Sequence, residues 1–286
     1  MRIASVIVAG QATYGIVEGN SIKVASPQAL AKYPDLQAAI AAVGVSELAA
    51  LLTGSVHQLA DVSFLPVIPK PDKIFCIGIN YASHIAETGR PVPEKPVVFM
   101  RYANSQVGAG QAIVQPLESE QLDFEGELAV IIGRRGRRIQ KSEAFDYIAG
   151  YACYNDASIR DFQRHSSQFG PGKNFPNTGA FGPWLVTTDE IADPSTLSLI
   201  TRLNGQVMQQ APISDLVFDV PALVAYCSTF TELAPGDVIV TGTTGGVGLF
   251  RQPPVWMKQD DVVEVEISGI GILSNPVHSE GRNIEA

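Results

Sequence analysis

The stretch LDFEGELAVIIG, Leu122 to Gly133, sets Asp123, Glu125 and Glu127 two residues apart. On a β-strand such residues share one face, with Cα atoms about 6.5–7 Å apart along the chain. Carboxylates stacked this way repel one another. They are stable either as a solvated face or around a hard cation that neutralises them. A further carboxylate lies in YNDASIRDFQ, Tyr154 to Gln163, where an apolar run leads directly into Asn155 and Asp156. Asp156 fits two roles: N-cap of a helix starting at Ser158, or a third oxygen ligand at the mouth of a sheet. Three carboxylate oxygens without a neighbouring His or Cys cluster favour Mg²⁺ or Mn²⁺, with Ca²⁺ as a substitute, over zinc or copper.

His84 and Glu87 stand three apart in GINYASHIAETG, side by side on one helical turn. A carboxylate beside an imidazole fixes its tautomer and raises its basicity, as a general base requires; an ordinary surface pair has the same spacing. Gly78, Asn80 and Gly89 flank this turn, which therefore has the makings of a lid. Lys173 lies in the breaker-rich FGPGKNFPNTGAFGPW, and TGTTGGVG follows a short apolar strand. Neither has the spacing of a P-loop or a dinucleotide fingerprint. The lysine is either solvated or catalytic, and the glycine-rich turn offers backbone N–H groups to an oxyanion. RRGRR, Arg134 to Arg138, reads as a solvated hairpin rather than a nucleic-acid patch.

These groups need a scaffold to hold them. Short strand-like runs dominate after residue 72: Lys73–Ile77, Val97–Arg101, Glu125–Ile132, Tyr147–Asn155, Trp184–Thr187, Leu197–Leu203, Asp237–Thr241 and Asp261–Ile267. Helical signals cover Tyr81–Thr88, Ser142–Phe145, Ser158–Gln168 and Val220–Ser228. That balance predicts an α+β, β-rich fold, a folded mixed sheet or barrel, rather than a doubly wound βα repeat. Before it, a hairpin (Ile3–Val8, Thr13–Val17) and two short helices (Ala29–Val43, Ser46–Thr53) form a small N-terminal α/β domain over residues 1–70. The proline-rich Pro66–Lys73 leads into a catalytic domain over residues 71–286.

With 29 acidic and 20 basic residues among 286, the chain carries a formal net charge of -9. This argues against a duplex-binding protein, whose phosphate contacts need a basic surface. Cys76, Cys153 and Cys227 are odd in number and far apart, reading as reduced core thiols. No run approaches ~18 apolar residues, so no membrane span is expected. The opening MRIASVIVAG reads as a strand, and the expected location is cytoplasmic.

Taken in order, GINYASHIAE, DFEGELAVIIG, YNDASIRDFQ, GKNFPNTGAFGPW, LNGQVMQ and PGDVIVTGTTGGVG resemble the fumarylacetoacetate hydrolase family across almost all of residues 72–277. The resemblance implies a rolled mixed β-structure, a homodimer and a small-molecule 2-oxo or 2,4-dioxo acid substrate. It casts Glu125, Glu127 and Asp156 as divalent-metal ligands, Lys173 as the active-site lysine and His84–Glu87 as a lid dyad. Arg160, Gln163, Tyr81 and Thr243 are the expected substrate contacts. Two positions depart from the family pattern, Thr244 where a proline is common and Arg101 where a lysine is common; both are expected near the substrate. The implied reaction is hydrolysis of a C–C bond in a 2,4-dioxo acid through an enolate, with His84–Glu87 activating water and Lys173 sharing the enolate charge. Decarboxylation of an oxaloacetate-type acid and hydration or isomerisation of an enoic 2-oxo acid use the same groups. A non-catalytic metal-binding module is the reading from another class.

Overall fold

A computed structural model describes residues 1–281. The apolar run after Glu127 sets its architecture. In the strand Gly126–Ile132, Leu128, Val130 and Ile132 project to one side and Ala129 and Ile131 to the other, all buried. A strand covered on both faces belongs inside a sheet with layers on either side. It pairs antiparallel with Ile148–Asp156 and with Val238–Val240, the latter running parallel to Ile74–Gly78. These strands form the middle of a 12-stranded mixed sheet.

Against one face packs a five-stranded sheet that includes Ser198–Leu203, Val262–Ile267 and Gly271–Ser279. Its Leu199, Val265 and Leu273 join Leu128, Val130 and Tyr151 in one apolar core. On the other face Leu36, Ile40 and Leu48 from the N-terminal segment meet Ile74, Ala129, Ile131 and Val240. The expected N-terminal hairpin is present, and its first strand, Arg2–Val8, also pairs with Gly179–Thr187, so these strands continue the long sheet. The fold is α+β and β-rich, with few and short helices. Among the described residues no helix is long and apolar enough to cross a membrane.

Several expected elements change at their ends for local reasons. The run Ala29–Val43 is two helices, Pro27–Lys32 and Leu36–Val43; it breaks at Pro34, and Asp35 caps the second by accepting from Ala38 N–H. Ser46–Thr53 shrinks to a 3₁₀ turn, Leu48–Leu51. Ser158 and Ile159 are not helical but pair with Leu122–Asp123; only Arg160–Gln163 makes an α-turn before the Ser- and Gly-rich run that follows. The expected Trp184–Thr187 strand starts earlier, at Gly179, and the strands Gln206–Pro212 and Gly271–Ser279 carry weaker alternation than sequence reading detects. RRGRR turns at the surface: Arg135 pairs with Glu232, and Arg134 lies 5.0 Å over the Tyr147 ring. All three cysteines are buried and free.

Candidate active site

Two paired strands bring the carboxylates together. Gly126 faces Asn155 and Glu127 faces Tyr154, while Asp156 N–H donates to the Glu125 carbonyl at 2.8 Å. Alternation then turns Glu125, Glu127 and Asp156 toward one point. One oxygen from each lies within 4.8 Å of the others, and all three residues are buried. Asp156 is no N-cap: its oxygens accept from Arg101 Nη1 and Lys173 Nζ, each at 2.6 Å. Gly126, between the two glutamates, sits so close to the neighbouring sheet that a Cβ there would come within 2.0 Å of Thr201 Oγ1.

Asp123 leaves this group, contrary to the shared-face expectation. The strand pairing is interrupted at Phe124 and Glu125, and Asp123 accepts instead from Arg160 Nε at 2.7 Å and from the N–H groups of Gly248 and Leu249. Arg160 also reaches Glu125 at 2.5 Å, and Lys173 bridges Glu125 (2.5 Å) to Asp156. Removing water from so many charges is costly, and only mutual pairing offsets it. Burial favours a neutral Glu125, but Arg160 and Lys173 outweigh it and hold the carboxyl down at about 2. Burial disfavours the Lys173 ammonium, yet Asp156 and Glu125 overcome this and raise its pKa.

Glu127 is the exception. Among the described residues no cation pairs with it, and its single hydrogen bond comes from Gly242 N–H at 2.5 Å. Burial, then the charges of Asp156 and Glu125, push its pKa well above the usual carboxylate range. A buried, unpaired carboxylate beside two others is the charge that a divalent ion would neutralise, so the donor set fits Mg²⁺ or Mn²⁺. Glu125, Glu127 and Asp156 would be its protein ligands.

Across from the triad, His84 Nδ1 donates to Glu87 Oε1 at 2.6 Å. A carboxylate only accepts, so this bond leaves the lone pair on Nε2. Glu87 accepts in turn from Gly246 N–H at 2.9 Å, and Ser83 bonds Thr244 and Gly245. The helix carrying the dyad, Ala82–Thr88, is therefore docked on the glycine-rich turn. Asn80 anchors its entry through Thr241 and Phe218. The amides expected to cradle an oxyanion are thus largely used by Glu127, Glu87 and Asp123.

His84, Glu125, Glu127, Arg160, Gln163, Lys173 and Thr243 line one cavity of about 510 Å³. Within it Gln163 accepts from Arg160 Nη1, whose Nη2 has no partner, and Thr243 bonds Gln209 and the Gly126 carbonyl. Tyr81 does not line the cavity. Its ring is fully buried, its hydroxyl has no partner, and burial followed by the Glu127 charge raises its pKa. Arg101 and Thr244, expected near the substrate, likewise do not line the cavity: Arg101 holds Asp156, the Ala157 carbonyl and Thr178, while the Thr244 carbonyl accepts from Gln209. Gln209, unassigned from sequence, also accepts from Gly126 N–H and so ties the Gly126–Ile132 strand to the glycine-rich turn. Its only sequence signal is a place in LNGQVMQ.

This β-rich, mixed-sheet fold is shared with solved enzymes. A fumarylacetoacetate hydrolase from Exiguobacterium antarcticum, 32% identical, superposes with a TM-score of 0.84 over 98% of this chain and 100% of that one. A maleylpyruvate hydrolase from Sphingobium sp. SYK-6, solved in complex with manganese (II) ion and pyruvate, gives 0.80 at 28% identity over the same shares. The profile of the fumarylacetoacetate (FAA) hydrolase C-terminal domain matches residues 73–278. The chain belongs to the fumarylacetoacetate hydrolase family. The mitochondrial oxaloacetate tautomerase FAHD2A of Bos taurus is 39% identical over 265 residues, 92% of this chain and 84% of that protein.

Proposed function

We propose that the protein is a divalent-metal-dependent enzyme that moves a proton on the carbon next to the keto group of a 2-oxo acid, a tautomerase or isomerase of this family. The observation that carries this reading is the placement of His84, held by Glu87, in the same cavity as Glu125 and Glu127, two of the three converging carboxylates. Glu125, Glu127 and Asp156 would hold the divalent ion, which would supply Lewis acidity toward a 2-oxo acid. His84 Nε2, aimed by Glu87, takes a proton from the carbon next to the keto group to leave an enolate. That proton then goes to the enolate oxygen (tautomerisation) or to the far carbon of a conjugated acid (isomerisation). Lys173 and the unpartnered Nη2 of Arg160 add positive charge where the enolate develops, in a setting poor in water. Phe250, edge-on to His84 at 6.2 Å, helps keep bulk water from the base. Relatives named for oxaloacetate tautomerisation, and a Mycobacterium smegmatis 5-carboxymethyl-2-hydroxymuconate delta-isomerase (32% identical, TM-score 0.80, 98% and 100% of the chains), support proton transfer.

A second reading, hydrolysis of a C–C bond in a 2,4-dioxo acid, is favoured by the cavity volume, which exceeds the needs of a four-carbon acid. The test is a panel with Mg²⁺ or Mn²⁺: loss of enol absorbance and solvent-deuterium exchange for oxaloacetate and an enoic 2-oxo diacid, and loss of acylpyruvates and fumarylpyruvate. We expect exchange that stops with chelator and falls at least a hundredfold in His84→Gln, within the usual range for a general base. Cleavage of a dioxo acid without exchange would select the second reading. No metal-dependent change in any compound overturns both.

A further inference from the structure

The cavity has two charged ends. At the inner end Glu125, Glu127 and Lys173 are at most 5% exposed. Its middle walls, Val97, Phe99, Phe169 and Leu249, are half-buried and apolar. Its rim is formed by the exposed Arg90, Arg164, Ser166 and Ser167. Among the described residues neither rim arginine has a carboxylate within 4.0 Å, although acidic residues outnumber basic ones by nine in this chain. Arg164 is steadied by the Arg160 carbonyl at 3.2 Å and by Gln121 at 3.1 Å, while among the described residues the Arg90 side chain has no hydrogen-bond partner.

Two unpaired guanidinium groups at the rim of a cavity, on an acidic protein, mark a place for an anion that comes with the ligand. Guanidinium is suited to a carboxylate because its planar fork matches both oxygens. We propose that Arg90 and Arg164 bind a second carboxylate at the tail of the substrate, so that the enzyme prefers 2-oxo diacids whose carbon chain spans the apolar middle. This rests on the reading of the inner end as the seat of a metal-chelating 2-oxo acid head. Arg90 directly follows Gly89, the left-handed cap (φ 65°) of the helix that carries His84 and Glu87. A carboxylate held at the rim therefore also steadies the helix that bears the base.

The test is calorimetric titration of the Mn²⁺-loaded full chain with 2-oxoadipate and with 2-oxohexanoate, which share a chain length but differ in the tail carboxylate. We expect the diacid to bind at least tenfold tighter. That gap should narrow at least threefold in Arg90→Gln and in Arg164→Gln, and also with added salt. Among the described residues the exposed Arg90 side chain makes no hydrogen bond or ion pair that Arg90→Gln could break, so its result stands even if Arg164→Gln misfolds. Equal binding of the two acids, or an unchanged gap in Arg90→Gln, overturns the tail site while leaving the chelating head intact. Failure of both acids to bind with Mn²⁺ overturns the chelation reading, and the tail site with it.

Discussion

Gly126→Ala probes the junction between fold and site. A methyl at this position meets Thr201 Oγ1 at 2.0 Å and Leu199 Cδ2 and Thr201 Cβ at 3.4 Å. Thr201 is fully buried and its χ1 is stiff, so the oxygen has no cheap way to yield. Overpacking of this kind costs about 1–3 kcal/mol. Thr201→Ala alone should be close to neutral. It deletes a buried hydroxyl that has no partner, worth about 1 kcal/mol, and a methyl of opposite and similar worth. In the double variant the closest contact relaxes to 3.4 Å, so most of the loss should return, giving a coupling of about 1–2 kcal/mol in a urea-denaturation cycle. Because Glu125 and Glu127 flank the glycine, Mn²⁺ affinity should follow the same pattern, weaker in the single variant and recovered in the double. Additive effects, with no rescue by Thr201→Ala, would refute the claim that sheet-to-sheet contact is what demands glycine between the two glutamates.

Two further substitutions separate stability from function. Glu127→Gln should lose at least tenfold in Mn²⁺ affinity by calorimetry, yet unfold at equal or higher urea in chelator, since it removes a buried charge with no cation partner. Glu125→Gln loses the metal too, but it strips Arg160 and Lys173 of their partner and should unfold earlier; both variants moving the same way would contradict the pairing. Asp237, far from the triad in sequence, tests a pH effect: burial raises its pKa despite Ala234 N–H and Lys73 at 2.9 Å. A carboxyl with a raised folded pKa contributes its stability below its ordinary value of about 3.9 and loses it as pH climbs through the raised one. The stability of the native chain relative to Asp237→Asn should therefore fall as pH rises above about 4, and a rise would be fatal to the assignment.

The triad was legible because strand alternation is a strong local rule. Glu125 and Glu127 needed only the AVII run after them, and Asp156 only the apolar strand before it. Asp123 obeys the same spacing and still departs, because Arg160 and the Gly248 and Leu249 N–H groups hold it, and its own strand pairs with Ser158 and Ile159, a contact between distant segments. That contact also cancelled the helix expected from Ser158. Lys173 was visible only through resemblance, since it is held from a breaker-rich loop by groups 48 and 17 residues away. Arg101 and Gln209 act one layer behind the cavity wall, on Asp156 and on Gly126 and Thr243. No local pattern marks such residues, because their role is fixed by register rather than by neighbours in sequence.

The glycine-rich turn makes the separate pieces one mechanical unit. Gly242 N–H holds Glu127, Gly246 N–H holds Glu87, and Gly248 and Leu249 N–H hold Asp123, which in turn fixes Arg160. Within this short run, ligand, base-orienting carboxylate and guanidinium anchor are all referenced to one backbone. Gly242 must be glycine for this: its φ is 109°, and a Cβ would lie 2.7 Å from Asn80 Cβ, the residue that anchors the dyad helix. A shift of the turn therefore moves the base and an acidic ligand together, preserving their separation better than independent loops would. For the proposed proton transfer, whose barrier would depend on where the proton sits relative to the keto oxygen, that shared reference would let a short helix, rather than a strand, carry the base.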